Sequence, residues 1–448
     1  MNILVLNGSP KGQHSITLQT ALYLEQIYKA HNFSYLHVGQ KIRAYEHKFQ
    51  DVIESMEQAD LILFVYPVYT FLAPYQLHHF IELMKEATIS LEGKYVSQIT
   101  TSKHFYDITA HKFIEENAYD FGARFIRGLS ADMEDLLEEK GRTEAICYFD
   151  KLLFDIENGI YQEKKASSTP YIPTAYKASF TPVPKNTNKD IVLITNLGEQ
   201  EDNLKNMIDD FIAICESPVR VINLREFSFS GGCLGCFHCS TTGTCIYKDG
   251  FDSYLRDEIQ TADAIIYAYT IQNHYTQSSL KCYDDRQFCN GHRTVNHGMP
   301  VGYLISGNYE NEQNVKTIVE ARSEVSGMYL CGVATDEENV TSNIKRLATS
   351  LQYALTHEMK KSANFYGVGG TKIFRDLVFL MRGMMKADHQ YYKKNGIYDY
   401  PHNKRFKIIQ MQIIGTLLMN PSVRKKLKGS INSIIVTPYT KIIEEAGK

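Results

Sequence analysis

Apolar and polar positions along this chain fall into two matching series. In the first, NILVLN, a stretch near Phe33 to Val38, LILFVYPVY, YVSQITTS and ARFIRGLS are short apolar runs bounded by turn residues. Runs of that length without polar alternation fit strands buried on both faces of a parallel sheet. Helical spacing fills the gaps. SITLQTALYLEQIYKAH puts Leu18, Ala21, Leu22 and Tyr28 on one face, with Ser15 placed to cap its start. A helix around Phe49 to Gln58, then QLHHFIELMKEA and HKFIEENAYDFG, continue the alternation, and RTEAICYFDKLLFDIENGI closes it. The pattern predicts a doubly wound α/β sheet of five parallel strands.

The series then starts again. DIVLITN, VRVINLREF, AIIYAYTIQ, MPVGYLISG and MYLCGVATD stand in corresponding order, and NVTSNIKRLATSLQYALTHEM supplies the closing helix. Both third strands follow an Ala-Asp pair, in ADLILFVYPVY and ADAIIYAYTIQ, so one fold is expected twice. The expected organisation is a domain over 1–165, a linker over 166–188, a second domain over 189–362 and a C-terminal extension over 363–448. The linker holds four of the twelve prolines. The extension is basic and aromatic at first, then apolar between basic flanks. A helix packed on its own domain or on a partner subunit is the expected form, with contact to a membrane surface as the alternative.

Candidate chemistry divides unequally between the copies. In a doubly wound sheet, ligands sit beyond the carboxyl ends of the strands. Gly8 to Thr17 follows the first strand and opens a helix, so its amides and the helix dipole favour an anion. Ser9, Ser15 and Thr17 add hydroxyls and Lys11 adds a charge. Neither a Gly-x-x-x-x-Gly-Lys-Ser/Thr nor a Gly-x-Gly-x-x-Gly motif is present; phosphate binding is the expectation, with a turn that only caps a helix as the alternative. The matching loop of the second copy, LGEQEDNLKNM, carries Glu199, Glu201 and Asp202, which oppose an anion there.

In its place the second copy carries GCLGCFHCSTTGTC, with Cys233, Cys236, Cys239 and Cys245 spaced C-x2-C-x2-C-x5-C. That spacing suits a [4Fe-4S] cluster, a zinc site, or thiols kept free or as a labile disulfide pair. Gly231, Gly232, Gly235 and Gly243 permit the tight turns. Cys282 and Cys289 are read as packed or spare thiols, with approach to the cluster as the alternative, and Cys147, Cys215 and Cys331 as core.

These residues resemble a known family. NGSPKGQHSIT looks like the phosphate loop of the flavodoxin-like NAD(P)H-dependent FMN reductases and quinone reductases, and YPVYTFLAPYQLHHFIEL looks like their second flavin loop. The second copy, with its cysteines after strand two and then TADAIIYAYTIQNHYTQSSLKCYDDR, is similar to the iron-sulfur flavoprotein branch of that superfamily. The resemblance covers about 1–150 and 190–360 and implies two tandem flavodoxin-like sheets with a helical C-terminal extension. It places Ser9, Lys11, Ser15 and Thr17 on the FMN phosphate, and Pro67, Val68, Tyr69 and Thr70 along the isoalloxazine and its polar edge. Thr101 and Ser102, in the loop after strand four, would close over the ring. Ile16 departs from the pattern, since the family commonly has Asn there. Tyr69 is expected either to stack on the flavin or to pack under the loop.

The implied activity is electron transfer from NAD(P)H, a transient donor, through FMN to a quinone, a flavin or a redox protein, with an iron-sulfur cluster as a relay if one is held. A flavodoxin-type electron carrier and a binding module with decayed cofactor sites are the alternatives. In the family the flavin site lies at a dimer interface, so the two copies are expected to make that dimer internally.

Composition narrows the classes further. At 448 residues there is room for two or three domains, and a net charge of -3 gives no electrostatic case for nucleic acid. Nine cysteines, odd in number and partly clustered, argue against a secreted disulfide framework. No 18-residue uncharged apolar run occurs and the chain enters directly into a strand, so a cytoplasmic protein is the expectation. The chain has 30 Tyr and 22 Phe but no Trp, so rings that can stack on a planar ligand are plentiful, most of them expected in ordinary packing.

Overall fold

A computed structural model describes residues 1–164, 174–399 and 405–423. The first copy runs β1 (Asn2–Asn7), α1 (Ile16–Ile27), β2 (Asn32–Leu36), α2 (Val38–Tyr45), α3 (Gln50–Glu57), β3 (Leu61–Pro67), α4 (Tyr75–Glu86) and β4 (Tyr95–Ser102). It continues with α5 (Asp107–Asp120), β5 (Arg124–Phe125), β6 (Leu129–Asp132) and α6 (Glu139–Glu157). Its sheet is parallel, ordered β2-β1-β3-β4-β5, with β6 also pairing β4. The fifth strand expected over ARFIRGLS is therefore two short ones, and the second strand stops at Leu36 because Val38 already opens α2.

The second copy runs β7 (Ile191–Thr195), α7 (Asp202–Ile214), β8 (Val219–Asn223), α8 (His238–Thr242), α9 (Phe251–Tyr254), β9 (Ala264–Thr270) and α10 (Ser278–Arg286). Then come β10 (Pro300–Ser306), α11 (Gln313–Val325), β11 (Tyr329–Thr335) and α12 (Val340–His357). Its parallel sheet is ordered β11-β10-β9-β7-β8, the same 2-1-3-4-5 order read from the other edge. Two doubly wound sheets of one topology are present.

Of the expected linker, residues 166–173 lie outside the described set. Residues 174–188 have no regular structure and follow α7: the amides of Ser179 and Phe180 donate to Asp210 at 2.8 Å, and Lys185 Nζ donates to the carbonyls of Ile212 and Cys215 at 2.7 Å. Both copies and the start of the extension form one compact unit, Met1–Tyr391. That start is α13 (Phe365–Leu380) and most of α14 (Lys386–Lys394). Residues from Tyr392 onward form a second unit, in which α15 (Arg405–Leu418) exposes Phe406, Ile409, Ile413 and Leu417. Positions 400–404 and 424–448 of the extension lie outside the described residues. Among the described residues, no helix is long and apolar enough to cross a membrane.

The copies meet through equivalent helices. α4 and α10, each following the third strand of its copy, pack together, as do α5 and α11, each following the fourth. Tyr275, Ile318 and Ala321 of the second copy belong to the core cluster of the first, so the hydrophobic interior is continuous across the junction. The pairing of like elements has the form of a two-fold interface within one chain.

The sequence of α10, SSLKCYDDR, is rich in polar residues, yet Lys281, Asp284, Asp285 and Arg286 are all buried. Each charge is paired. Lys281 donates to Asp285 and to Tyr69 O (2.9 Å), and Asp285 accepts from the Tyr75 amide at 2.7 Å. Asp284 binds Arg322 at 2.6 Å and the Tyr275 hydroxyl at 2.7 Å. Buried ion pairs of this kind add little net stability but penalise any arrangement that separates the partners. Here they fix the first copy's Tyr69–Tyr75 segment against the second copy.

Candidate active site: a cleft between the copies

All eleven candidate flavin residues and all four clustered cysteines line one cleft. Its cavity volume is about 210 Å³.

The anion loop forms one end. The Gly8 amide donates to Val65 O at 2.9 Å, and Asn7 braces the turn by donating to Gly12 O at 2.9 Å. Ser15 caps α1, its hydroxyl accepting from the Leu18 amide at 3.4 Å. The next two amides, of Ile16 and Thr17, have no partner among the described residues. Two unpaired first-turn amides at the positive end of a 12-residue helix make an anion cradle. Ser9, Ser15 and Thr17 are buried, and Ile16 stands at the rim with no polar side-chain atom to offer. Burial holds the Lys11 ammonium below its usual range, against the opposing pull of the Cys236 and Cys233 thiols.

The next wall is the end of β3 and the segment after it. Pro67, Val68, Tyr69 and Thr70 are half-buried, and Thr70 and Phe71 take left-handed backbone angles, φ 41° and 71°. Tyr69 N and O exchange hydrogen bonds with Leu72, at 2.8 and 3.0 Å. The Tyr69 ring meets Phe288 edge-on at 6.1 Å. Thr101 and Ser102 are not in a loop: they are the last residues of β4, held by the parallel ladder to β3 and β6. Thr101 Oγ1 lies 2.6 Å from Thr17 Oγ1, which ties the strand end to the anion loop.

The opposite wall is the second copy's cysteine loop. Arg286 is buried and anchors it, donating to Gly231 O at 2.9 Å and to both Asp249 oxygens at 2.7 and 2.8 Å. Its guanidinium also lies over the Tyr247 ring, 4.4 Å from the centroid. Gly235 has φ +60°, and a Cβ there would lie 1.9 Å from the Tyr69 hydroxyl, so only glycine lets the loop close on the first copy. Lys11 crosses the cleft in return, its ammonium 5.4 Å from the Phe237 ring centroid.

The four thiols share one wall of the cleft. Among the described residues, no three Cys, His, Asp or Glu side chains are placed to hold a metal ion, and all nine cysteines are free. That placement does not fit a tetrahedral zinc, which takes all its ligands on one ion. Cys236 is exposed, whereas Cys233, Cys239 and Cys245 are half-buried. Burial raises the Cys233 thiol well above its usual range and pushes Cys239 up to about 11. Cys282 is buried in α10, Cys289 lines the cleft, and Cys147, expected in the core, is exposed.

The cleft also takes residues that no sequence motif marked. Phe105, Phe288 and His292 line it, as do Phe374 and Leu377 of α13, so the start of the C-terminal extension belongs to the site. Phe374 packs at a tilt against Phe105, centroids 4.3 Å apart, and meets His292 edge-on at 4.7 Å. The buried Asp388 of α14 accepts from the His292 amide and faces its Nδ1, both at 3.2 Å. These contacts span 82 residues or more of sequence, and the only available signal was aromatic enrichment after residue 362.

Residues 1–131 match the family described as having a flavodoxin-like fold. No curated protein matches the chain. Among solved structures, the general stress protein 14 of Treponema denticola, in complex with FMN, is similar at 12% identity and TM-score 0.28, over 34% of this chain and 98% of that one. An NAD(P)H:quinone oxidoreductase from Methanothermobacter marburgensis is similar at 14% identity and TM-score 0.28, over 40% and 100%. An NADPH-quinone reductase from P. pentosaceus is similar at 15% identity and TM-score 0.27, over 34% and 95%. The first copy thus has a flavodoxin-like fold, and the second repeats its strand order.

Proposed function

We propose that the protein is an FMN-dependent oxidoreductase that takes electrons from NAD(P)H and passes them to a small-molecule or redox-protein acceptor. One observation carries this reading. The ten residues that the resemblance assigns to FMN, drawn from three separate segments, line with Ile16 a single cleft whose other wall is the second copy. The cradle suits the group: unpaired amides at Ile16 and Thr17 and the Lys11 ammonium face an anion, while Pro67, Val68 and Phe288 give an apolar surface for a flat ring.

When bound, FMN supplies hydride acceptance and its return as one or two electrons. The chain's own residues do the rest. The α1 N-terminus and Lys11 bind and orient the phosphate. The β3 and β4 ends fix the ring's polar edge. Phe237, Phe288 and Phe374 cover the mouth and exclude water. The internal pseudo-dimer is the economical form of this arrangement, since the second copy provides the cover that a separate subunit would otherwise bring. Nine unpaired cysteines fit a reducing, cytoplasmic setting.

An absorption spectrum of anaerobically purified protein, with released flavin, iron and zinc quantified, tests the proposal. One FMN per chain and steady NAD(P)H oxidation with a quinone or dye are expected. Flavin without turnover would leave an electron carrier. No flavin after reconstitution with FMN would end the enzyme reading.

A further inference from the structure

We propose that α15 docks the protein on an anionic lipid surface, with its apolar side chains among the acyl chains and the basic residues that flank it on the headgroup phosphates. This docking stands apart from the flavin reading above. Exposure, charge and length point to it together.

Every described side chain of α15 is exposed. Phe406, Ile409, Ile413 and Leu417, spaced three, four and four residues apart, share one face and are 92%, 52%, 57% and 56% exposed. Ile408, Met411 and Ile414 carry apolar surface further round the helix, and Arg405, Gln412 and Thr416 leave only a narrow polar strip. A helix that is apolar round most of its circumference belongs in an apolar medium. α13, the apolar helix that opens the same extension, has one: it buries Val378 and puts Phe374 and Leu377 into the cleft. α15 has no such cover among the described residues.

The charge around it says what the cover is. Between Asp399 and Glu444 the sequence has no acidic residue, while Lys or Arg stands at 404, 405 and 407 and again at 424, 425, 426, 428 and 441. The whole chain carries a net charge of -3, so this positive charge is segregated in one segment. A nucleic acid would match the charge and leave the apolar face in water. An apolar protein groove would cover the face and leave the charge unmatched. A bilayer surface containing anionic lipid matches both at once. The helix has 14 residues, about 21 Å at ~1.5 Å per residue, against about 30 Å for a hydrocarbon core. It therefore lies along the surface and does not cross it.

The chain has no Trp, so Phe406→Trp places a single indole on the exposed face. The full-length variant is titrated with vesicles of phosphatidylcholine and phosphatidylglycerol in equal parts, and with vesicles of phosphatidylcholine alone. A blue shift of indole emission and co-sedimentation with the mixed vesicles are expected. Both should be at least tenfold weaker with phosphatidylcholine alone, and both should fade as added salt screens the charges. Ile409→Gln combined with Ile413→Gln, which keeps the charge and removes apolar surface, should weaken binding to the mixed vesicles at least tenfold. Gln412→Ala, on the polar strip, should leave binding unchanged. No blue shift, equal binding to the two kinds of vesicle, or full binding by the double isoleucine variant would each overturn the proposal. So would a dimer in lipid-free buffer, seen by light scattering, that the double variant dissolves, since the face would then cover a second copy. None of these readouts uses flavin or turnover, so the reductase reading stands or falls on its own test.

Discussion

The two strand-to-helix loops at the heads of the copies begin alike and end in opposite states. After β1, the loop spends its side chains on its own turn and leaves the amides of Ile16 and Thr17 open. After β7, the Gly198 amide donates to the Glu201 carboxylate. Arg225 Nε then bonds Asn196 O at 2.7 Å, and Asn223 Nδ2 bonds Leu197 O at 3.0 Å. A carboxylate of the protein has taken the place an outside anion would fill. The sheet and its order are unaffected, because the loop lies beyond the strand ends and carries none of the core. One topology can therefore be kept for its packing in one copy and for its ligand chemistry in the other.

The second contrast lies after the second strand. The first copy passes almost at once from β2 into α2, whereas the second runs from β8 into the cysteine loop and sends it across the junction. The largest effect expected from a single substitution is here. Gly235→Ala should cost about 4 kcal/mol, combining left-handed strain with the collision against Tyr69. Gly250→Ala is the control: φ is +78° but no atom lies within 4 Å of the new Cβ, so about 1 kcal/mol is expected. Thermal unfolding of both variants checks the difference. Equal costs would mean that the loop does not bear on Tyr69.

The junction offers a contrast of charge. His78 of α4 is buried with Nε2 2.7 Å from Thr276 O, and burial lowers its pKa to about 4. His274, on the other copy, bridges Asp120 (3.0 Å) and Glu312 (2.8 Å). Burial opposes its charge, but those carboxylates prevail and hold its pKa at about 9. The signs are opposite. Neutral His78 contributes stability that is full above the unfolded value of 6.5 and fades as pH falls toward 4. Charged His274 contributes stability that is full below 6.5 and is lost as pH rises through 9. Each is worth about 3 kcal/mol at about 1.36 kcal/mol per pH unit. Melting temperature should therefore peak near neutral pH, with His78→Gln flattening the acid limb and His274→Gln the alkaline one. Unchanged limbs would show that the histidines do not titrate against the junction.

Much of this was legible in the chain. A parallel sheet brings every loop at its strand ends to one edge, so residues near positions 10, 68 and 101 had to meet. The split of the fifth strand was less visible: Gly128 separates β5 from β6, where a Cβ would strike Gln98 O at 2.2 Å, a contact with no local signature. The burial of α10 could not be read, because its Lys-x2-Asp-Asp-Arg pattern is polar and its partners lie in the other copy and on α11. Cys147 was read as core from its place in a helical segment, yet it is exposed on α6. Phe374, Leu377 and Asp388 escaped notice for a related reason: the extension has no counterpart in either repeat, and its role follows only from where it docks.

The loops themselves can be tested by exchanging their character. Ile16 is 39% exposed, at the rim of the anion cradle and away from the core. Ile16→Glu imports the second copy's device, and a like charge beside a bound phosphate should weaken FMN by about 2 kcal/mol, roughly 30-fold in Kd. Quenching of flavin fluorescence on titration would measure it, with the melting temperature of the apo protein as control for folding.

The smallest expected effect runs the other way. Ile16→Asn adds a side-chain amide where the first loop offers only main chain, and one hydrogen bond at a partly solvated rim is worth about 1 kcal/mol, roughly a fivefold tighter Kd. Asparagine is a poorer helix former than most residues, but at the first helical position its side chain can reach solvent or ligand, so the fold should lose little. A tighter complex would show that the first loop is an anion site short of one donor. An unchanged Kd in both variants would mean that the Ile16 and Thr17 amides do not face the phosphate. The contrast between the open loop and the carboxylate-filled one would then describe two ways of capping a helix, with no bearing on which copy holds the cofactor.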